Sequence, residues 1–378
     1  MLPLTEVPKK WGAGRGSARF AGKRRTPLTQ LTPWRAAVAI FFSLLIPHTS
    51  PPAEAAGRTV TIAAVGDIMM GTDYPTPRLP PRGGRDLLAA AAPFLKRADL
   101  AIGNLEGPLT KAQMPGKEPL PGRRYLFRTP PSYVGNLKEA GFSMVSLANN
   151  HARDFGPEGL AETRRTLAEA GILFSSKKGE VARFDVRGVK VAVISLSYGP
   201  PPRSIVFPAQ PLQEIAREAR ENDIVILSVH AGAEGRGALH VSPGMERFLD
   251  EPRGDLVGFA HDAIDCGADL VLAHGPHVPR ALELYRGRLI AYSLGNFATC
   301  GGVSVAGESG YAPLVTAELA ADGSFVAGSI ESFRQSFGTG PRPDPKRRAL
   351  RLMRRLSAED FPDSPIVFGE RGALGVRR

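Results

Sequence analysis

Five groups of polar residues follow five short apolar runs of this 378-residue chain, each at the point where the run stops. The runs are rich in β-branched residues, which predicts buried strands. Ligands of open α/β sheets bind at the carboxyl ends of strands, so we expect the five groups to meet at one edge. The candidate site residues in these groups are Asp67; Asn104 and Glu106; Asn149, Asn150 and His151; His230 and Glu234; and His274 and His277.

Histidine is concentrated in these groups. The chain has seven histidines, and four of them are among the candidate site residues. Imidazole, carboxylate and amide oxygen together suit zinc, manganese or iron, whereas calcium sites use oxygen alone and structural zinc sites use thiolates. We therefore predict that the protein binds one or two divalent transition-metal ions.

Each group taken alone also has a plainer interpretation. Gly66-Asp67 is typical of a turn or a helix cap, and Asn149-Asn150 is typical of a turn. For Glu234, a surface position and a position that supports the ligands are both open. The metal hypothesis therefore depends on the five groups acting together.

The rest of the chain supplies elements that can position such a site. From residue 58 onward, apolar runs alternate with amphipathic segments, which predicts helices covering a mainly parallel sheet. Three segments with Arg-Gly or Asp-Gly turns predict hairpins and a second sheet, hence an α/β fold built as a layered α/β/β/α sandwich of two mixed sheets. The predicted strands are 60–65, 100–102, 143–147, 189–195, 224–229 and 270–272; the helices are 86–97, 130–140, 157–170, 212–221 and 256–266; and the hairpins are 184–194, 281–292 and 315–332.

Composition divides the chain into three parts. Residues 58–335 are predicted to form one domain, followed in 336–378 by a Pro/Gly linker and a basic C-terminal tail with a helix over 346–356. The formal net charge is +11, and most of it comes from the two ends of the chain. The central domain therefore carries no nucleic-acid footprint, and we predict no nucleic-acid partner. The two cysteines, Cys266 and Cys300, are either a single bridge or, as we favour, two small buried side chains.

Residues 1–57 have the order of a secretory signal. Basic residues precede an apolar run of 11 residues at 36–46, and the small-residue stretch 53–56 follows. This run is shorter than the roughly 20 residues that a membrane-spanning helix needs. We expect an exported protein on the periplasmic or extracellular face of the cell envelope, with cleavage at the end of that stretch. An uncleaved membrane anchor, a twin-arginine route through 23–25 and a misplaced start are the open alternatives.

Six segments of the chain together resemble a known family. They are AVGDIMMG (64–71), GNLEGPLT (103–110), SLANNHARDFG (146–156), VHAGAE (229–234), GADLVLAHGPHV (267–278) and LIAYSLGNF (289–297). Their order and spacing are similar to those of calcineurin-like metallophosphoesterases, and more closely to those of the CapA-type poly-γ-glutamate (capsule) biosynthesis family. The resemblance covers about residues 59–333.

The resemblance implies roles for individual residues. One metal ion would be held by Asp67 and His277, with Glu106 as a bridging ligand to the second. The second ion would be held by Asn150, His230 and His274. His151 would donate a proton to a leaving oxygen, a role for a group that titrates near neutrality. The residues implied to support the ligands or contact substrate are Asn104, Asn149, Glu234 and Asn296.

The chain also departs from the pattern of general phosphoesterases. Met69 stands where they have a histidine, and Asn104 and Glu106 replace a Gly-Asp pair, both as expected in the CapA family. Gly275 stands where the family usually has another histidine, and the family's usual Trp after His230 is missing.

Three functions are open at this point. The first is a metal-dependent hydrolase acting on a phosphoester or on an amide of an anionic polymer. The second is a non-catalytic factor that binds polyglutamate within a capsule synthesis or export complex. The third is an envelope sugar- or peptide-binding module without a metal.

Overall fold

The computed structural model describes residues 57–118 and 125–377, and most of its strands lie in two sheets. In chain order the strands are β1 Thr59–Met69, β2 Leu100–Leu105, β3 Met144–Ser146, β4 Leu173–Ser175, β5 Ala182–Val186, β6 Val189–Ser197, β7 Ile224–His230, β8 Glu246–Phe248, β9 Glu251–Gly254, β10 Leu270–His274, β11 Leu282–Tyr285, β12 Arg288–Ala291, β13 Asn296–Thr299, β14 Tyr311–Ala320, β15 Phe325–Ser336, β16 Gly340–Pro343, β17 Ile366–Phe368 and β18 Ala373–Val376. The α-helices are α1 Ala92–Leu95, α2 Val134–Ala140, α3 Gly156–Ala170, α4 Ala209–Glu221, α5 Leu256–Asp265 and α6 Arg348–Asp360. Short 3-10 helices span Pro81–Gly84, Pro131–Tyr133, Arg236–Ala238 and Gly307–Gly310.

Both large sheets are mixed. The first has the order β17-β18-β15-β14-β1-β2-β3-β4, with β13 also paired to β1 and β16 to β15. In it, β1 to β4 are parallel, and β14 runs antiparallel to β1. The second sheet has the order β11-β12-β10-β7-β6-β5, with β12, β10, β7 and β6 parallel. Parallel neighbours place their carboxyl ends at one edge, which is the arrangement that the polar groups require.

The two sheets pack face to face, and helices cover their outer faces. A core between the sheets joins residues such as Ile62 and Ile102 of the first sheet to Val193 and Ile226 of the second. A second core lies between the first sheet and α1 to α3, and a third lies between the second sheet and α4 and α5. The predicted α/β/β/α sandwich of two mixed sheets is confirmed.

Local sequence explains most of these elements. Strand β7 is buried along its whole length, as expected for a continuous apolar run in a parallel strand covered on both faces. Helix α3 ends at Gly171, whose φ of 76° is the left-handed conformation that glycine adopts without strain. Helix α5 begins after Asp255, whose side chain accepts a hydrogen bond from the Gly258 N–H.

The prediction of a helix over 86–97 is largely wrong. Only α1 is helical there, and the residues before it form turns such as Leu87 N–H to Gly84 O at 2.8 Å. Pro93 explains the late start, because proline has no N–H to donate to a preceding turn and is tolerated only in the first turn. The predicted helix over 130–140 forms as the 3-10 turn Pro131–Tyr133 followed directly by α2.

The hairpin predicted over 315–332 forms, but it belongs to the first sheet. Its β14 pairs with β1 from Thr59 to Val65, and β15 pairs with β14. The hairpins over 184–194 and 281–292 lie in the second sheet, as predicted. Turn signals identify a hairpin locally, whereas its sheet is decided by pairing with a strand far away in the sequence.

The C-terminal segment differs from the expected linker and tail. Residues 340–343 form β16, and β17 and β18 extend the first sheet. Helix α6 buries Leu350, Met353 and Leu356 while its exposed positions carry arginines. The basic residues thus occupy the solvent face of an amphipathic helix whose apolar face packs on the core.

Two further predictions concern the cysteines and the leader. Cys266 is half-buried, Cys300 is buried, and both are free thiols, so there is no bridge between them. The predicted leader lies, apart from Gly57, outside the described residues. Among the residues that are described, no helix combines the length and apolar character needed to span a membrane.

Candidate metal centre

Ionisable side chains at strand ends of both sheets lie close together in one buried cluster. Asp67 lies at the end of β1 and Glu106 directly after β2, while His230 and His274 end β7 and β10 as register partners. His277 lies 3.2 Å through Nδ1 from Asp67 Oδ2, and 3.7 Å through Nε2 from Glu106 Oε1. His230 Nε2 is 3.9 Å from Glu106 Oε1, and His274 Nδ1 is 3.9 Å from Asp67 Oδ1. Glu106 therefore lies between two histidines that come from different elements.

Several atoms of this cluster are buried without a hydrogen-bond partner among the described residues. They are Asp67 Oδ2, both carboxylate oxygens of Glu106, Asn150 Oδ1, His230 Nε2 and both ring nitrogens of His274. Buried polar atoms are normally paired, because an unpaired one costs about 1–3 kcal/mol. Asp67, Glu106 and His277 each offer one ligand atom, and these atoms lie within 4.8 Å of one another. The donor types and their unmet bonding capacity fit a divalent cation.

Burial and mutual charge shift the pKa values of these groups strongly. Burial raises the pKa of Glu106 well above its usual range, and the charge of Asp67 adds to this. Burial alone would lower the pKa of His277, but the carboxylates of Glu106 and Asp67 outweigh it and raise that pKa to about 10. Burial would raise the pKa of Asp67, yet its contact with His277 lowers it to about 2.

The other two histidines are held neutral. Burial lowers the pKa of His274 to about 4 and that of His230 well below its usual range. Neutral imidazole is the form that binds a metal ion, so both are ready to act as ligands near neutral pH.

Three asparagines orient the cluster. Asn104 donates from Nδ2 to Asp67 Oδ1 at 2.8 Å, and Asn149 donates from Nδ2 to Asn104 Oδ1 at 2.9 Å. Asn296 Oδ1 lies 2.9 Å from His277 Nδ1, and its Nδ2 donates to the His277 carbonyl at 3.2 Å. His277 has a φ of 59°, which is uncommon for a residue other than glycine, and Asn296 holds it there. Such supporting partners fix the orientation of ligands in metal sites.

His151 lies on the wall of the cavity above this cluster. Its Nδ1 is 2.9 Å from Asp154 Oδ2, and the fully buried Asp154 also accepts from Phe127 N–H at 2.7 Å. Lys117 Nζ lies 2.6 Å from the other oxygen of Asp154. When Nδ1 is bonded to Asp154, Nε2 is the nitrogen available for proton transfer. Sequence reasoning missed Asp154, although it lies three residues after His151 within SLANNHARDFG.

The cavity over the cluster has a volume of about 790 Å³. Asn150, His151, Glu234 and His277 line it together with Arg253. Arg253 donates to Glu234 Oε1 at 2.7 Å, and Glu234 Oε2 lies 3.9 Å from His277 Nε2, so Glu234 lies beside the cluster. Arg253 lies in β9, within the short β8–β9 hairpin, and no sequence motif there would reveal it.

The departures from the phosphoesterase pattern have structural counterparts. Met69 is buried, and its Sδ accepts from Gly71 N–H at 3.3 Å, so position 69 adds no ligand. Gly275 has a φ of 109°, and a Cβ atom there would lie 3.2 Å from His230 Nε2. A side chain at position 275 would therefore crowd a ligand atom of His230.

Comparison with known proteins decides the family. A family model described as bacterial capsule synthesis protein PGA_cap matches residues 61–300. The chain belongs to this family. Its similarity to CapA-type proteins, indicated by the six motifs, is thereby confirmed.

The relatives of this PGA_cap chain include two proteins from Bacillus. The chain is 28% identical over 270 residues to the capsule biosynthesis protein CapA of Bacillus anthracis, covering 66% of this chain and 62% of that protein. It is 29% identical over 250 residues to the PGA biosynthesis protein CapA of Bacillus subtilis (strain 168), covering 62% and 61%. The matched region thus spans about three fifths of these curated relatives.

Similar solved structures include a nucleotidase and a phosphatase. A 5'-nucleotidase precursor from Thermus thermophilus is 15% identical with a TM-score of 0.43, over 80% of this chain and 59% of that chain. A purple acid phosphatase from yellow lupin is 9% identical with a TM-score of 0.36, over 75% and 52%.

Proposed function

We propose that this member of the PGA_cap family is an exported, metal-dependent hydrolase that acts on a phosphoester in the synthesis or export of a poly-γ-glutamate capsule. One observation carries the proposal. Seven buried polar atoms without hydrogen-bond partners among the described residues belong to residues at or just after strand ends of both sheets, beneath an open cavity. A fold stabilised by packing alone would pair or remove such atoms.

The residues divide into two sets of ligands. Asp67, His277 and Glu106 would hold one ion, and His230, His274 and Asn150 would hold a second, with Glu106 shared between them. Manganese, zinc or iron fits this mixture of imidazole, carboxylate and amide ligands. When bound, such ions lower the pKa of a coordinated water and neutralise charge that develops on a phosphoryl group.

The remaining residues would bind substrate and move a proton. His151 donates a proton from Nε2 to the leaving oxygen, and Asp154 holds its ring through Nδ1. Asn104 and Asn149 keep Asp67 and its neighbours in place through the hydrogen bonds at 2.8 and 2.9 Å. Arg253 lines the cavity and holds Glu234 beside it through the hydrogen bond at 2.7 Å.

The biological process comes from the relatives. The two Bacillus proteins are described as capsule and PGA biosynthesis proteins, and a further relative of Mycobacterium tuberculosis, 30% identical over 226 residues, as a probable polyglutamine synthesis accessory protein. These descriptions support a role in a capsule synthesis or export complex. The signal-like order of residues 1–57 supports export.

The test is hydrolysis of p-nitrophenyl phosphate and of its bis-ester by protein loaded with each metal in turn. Asn150→Ala and Glu106→Gln should remove metal-dependent turnover. Asn222→Ala is the matched control, because Asn222 ends α4 and does not line the cavity. Turnover that is unchanged in the two site variants would contradict the proposal.

A second candidate is a non-catalytic polyglutamate-binding or assembly factor. The buried Met69 favours it, because general phosphoesterases use a histidine ligand at that position. Protein that binds stoichiometric metal by elemental analysis, yet hydrolyses neither ester, would favour this function. Protein that binds less than half an equivalent of metal would contradict both candidates.

A further inference from the structure

A second cavity of about 650 Å³ adjoins the metal cavity. The two share four lining residues, which are Tyr125, Gly302, Val303 and Ser304. We call the second cavity the outer cleft. The shared wall makes it an extension of the metal cavity, so one elongated ligand can occupy both.

The outer cleft is positively charged. Arg78 and Arg334 line it, both are exposed, and neither forms an ion pair with any residue of 57–118 or 125–377. No Asp or Glu of those two segments lines it. In the metal cavity, by contrast, Lys117 and Arg253 are each paired with a carboxylate. The unpaired charge of the outer cleft is therefore available to an anionic ligand.

A buried amide supplies a second, independent sign of a ligand. Gln335 lines the outer cleft but is only 1% exposed, and its Oε1 accepts from Thr299 N–H at 2.7 Å. That bond fixes the amide, and its Nε2 has no acceptor among the described residues. The amide at the wall of the cleft therefore keeps an unused donor of the kind from which a carboxylate oxygen accepts.

Apolar side chains also line the outer cleft. Val303, Val305 and Ala306 line it, and Phe337 at its rim is 67% exposed. Polyphosphate offers no apolar atoms to such a surface. A chain whose carboxylates are separated by methylene groups matches both the arginines and the apolar side chains.

Asn296 connects the outer cleft to the metal centre. Its Nδ2 donates to the Ser304 carbonyl at 3.1 Å, while its Oδ1 contacts His277 at 2.9 Å. These two hydrogen bonds fix the position of the wall between the cavities relative to the candidate ligand His277.

We propose that the outer cleft is a binding site for the carboxylates of an extended polyanionic chain, another part of which lies in the metal cavity. The inference deepens the proposed function and depends on it for the reaction, but not for binding. Arg78, Arg334 and Gln335 are then specificity-determining residues that favour a long carboxylate chain over a small monoester.

The experiment measures binding of a short fluorescein-labelled γ-linked oligoglutamate to the metal-loaded full chain by fluorescence anisotropy. Replacing both arginines, as R78A/R334A, should weaken binding roughly tenfold, since each exposed charge contact contributes up to about a factor of five. R220A/R351A is the control, because it removes the same charge from the exposed faces of α4 and α6. An equal loss in both double variants, or no binding by the wild type, would overturn the proposal.

Two further variants separate a specific site from general attraction. R78K/R334K keeps the charge and should retain most of the affinity. Gln335→Glu keeps the acceptor for Thr299 but turns the donor into a carboxylate, so it should weaken binding, whereas an unchanged affinity would argue against the Gln335 contact. Polyphosphate that displaces the probe as strongly as unlabelled oligoglutamate would overturn the choice of a carboxylate chain.

The outcome is independent of the hydrolase test. R78A/R334A should hydrolyse p-nitrophenyl phosphate at the wild-type rate, because the small ester does not reach the outer cleft. Absence of turnover together with arginine-dependent binding would overturn the hydrolase and leave the outer cleft in place. Wild-type turnover together with binding that does not depend on the arginines would overturn the outer-cleft site and leave the hydrolase in place.

Discussion

Two buried glutamates of this protein differ in whether their carboxylate oxygens have hydrogen-bond partners. Glu106 is 1% exposed and Glu214 is 3% exposed. Both oxygens of Glu214 are bonded to Arg203, at 2.8 and 3.0 Å, and Gly179 N–H donates to one of them at 2.9 Å. Neither oxygen of Glu106 has a hydrogen-bond partner among the described residues.

The pKa values of the two carboxyl groups move in opposite directions. Burial would raise the pKa of Glu214, but the hydrogen bonds from Arg203 and Gly179 and the charges of Arg203 and Arg217 together outweigh it, so the pKa is lowered. Burial raises the pKa of Glu106, and the neighbouring Asp67 raises it further. A buried charge with its bonds satisfied belongs to the framework of the fold, whereas one left unsatisfied indicates that a ligand completes it.

The largest effect on stability is expected from breaking the ion pair between Glu214 and Arg203. Glu214→Ala should lower the free energy of unfolding by about 3–5 kcal/mol, because it leaves the Arg203 guanidinium buried and uncompensated. Urea denaturation of the metal-free protein measures this. Replacing both partners, as Arg203→Met with Glu214→Leu, should recover much of the loss. A loss below about 1 kcal/mol for the single variant would show that the pair is not part of the framework.

Metal removal should lower stability by a comparable amount, and this effect should depend on Glu106. At a free metal concentration about a thousandfold above Kd, binding stabilises the folded state by about 4 kcal/mol. A chelator should therefore lower the Tm of the wild type in differential scanning calorimetry. Glu106→Gln should abolish this difference.

Glu106→Gln also provides a control in the stability of the metal-free protein. Because the folded-state pKa of Glu106 is raised, its favourable contribution is present below the ordinary value of 4.5 and is lost as pH rises through the folded value. Glu106→Gln should therefore leave the metal-free protein at neutral pH as stable as the wild type, or more stable. Destabilisation of the metal-free protein would place Glu106 with Glu214 as a framework residue.

A smaller effect is expected from the residue that orients His151. Asp154→Asn should lower the turnover of a metal-loaded enzyme about 10- to 100-fold, the range typical of residues that hold a catalytic or ligating histidine. Metal content should stay the same, since Asp154 contacts His151, Phe127 and Lys117 rather than the ligand cluster. Steady-state kinetics across pH measures it, and an unchanged pH profile would argue against proton donation by His151.

The smallest expected effect is the number of protons released when a metal ion binds. The pKa of His277 is raised to about 10, so its imidazole holds a proton at about pH 8 and must lose it to bind a metal ion. Metal binding should therefore release at least one proton, measured by calorimetry in buffers of different ionisation enthalpy. Binding without proton release would contradict His277 as a ligand.

Much of the fold was predictable because periodicity and turn residues are local. The apolar run of β7 and the Pro-opened α3 are recognisable in a single window of the sequence. The prediction over 86–97 failed because the lack of an N–H on Pro93 outweighed an otherwise helical pattern. The packing of the C-terminal segment was not predicted because the many arginines of α6 are typical of a solvated helix, whereas its apolar stripe is buried.

The types and positions of the candidate ligands were set by the sequence itself. Polar residues after buried strands are expected at a sheet edge, and the mixture of imidazole and carboxylate already indicated a transition metal. Residues outside such motifs carried no comparable signal. Arg253, Gln335 and the unpaired arginines of the outer cleft were found only in three dimensions.

Only the tertiary structure decided which atoms are left without partners. Hydrogen bonding joins residues far apart in the chain, as in the pairing of Glu214 with Arg203 and the isolation of Glu106. A glutamate has the same side chain in both places, and its pKa and role depend on the groups that packing brings beside it. The sequence therefore determined the inventory of candidate ligands, and the packing of the two sheets determined which of their atoms have no hydrogen-bond partner.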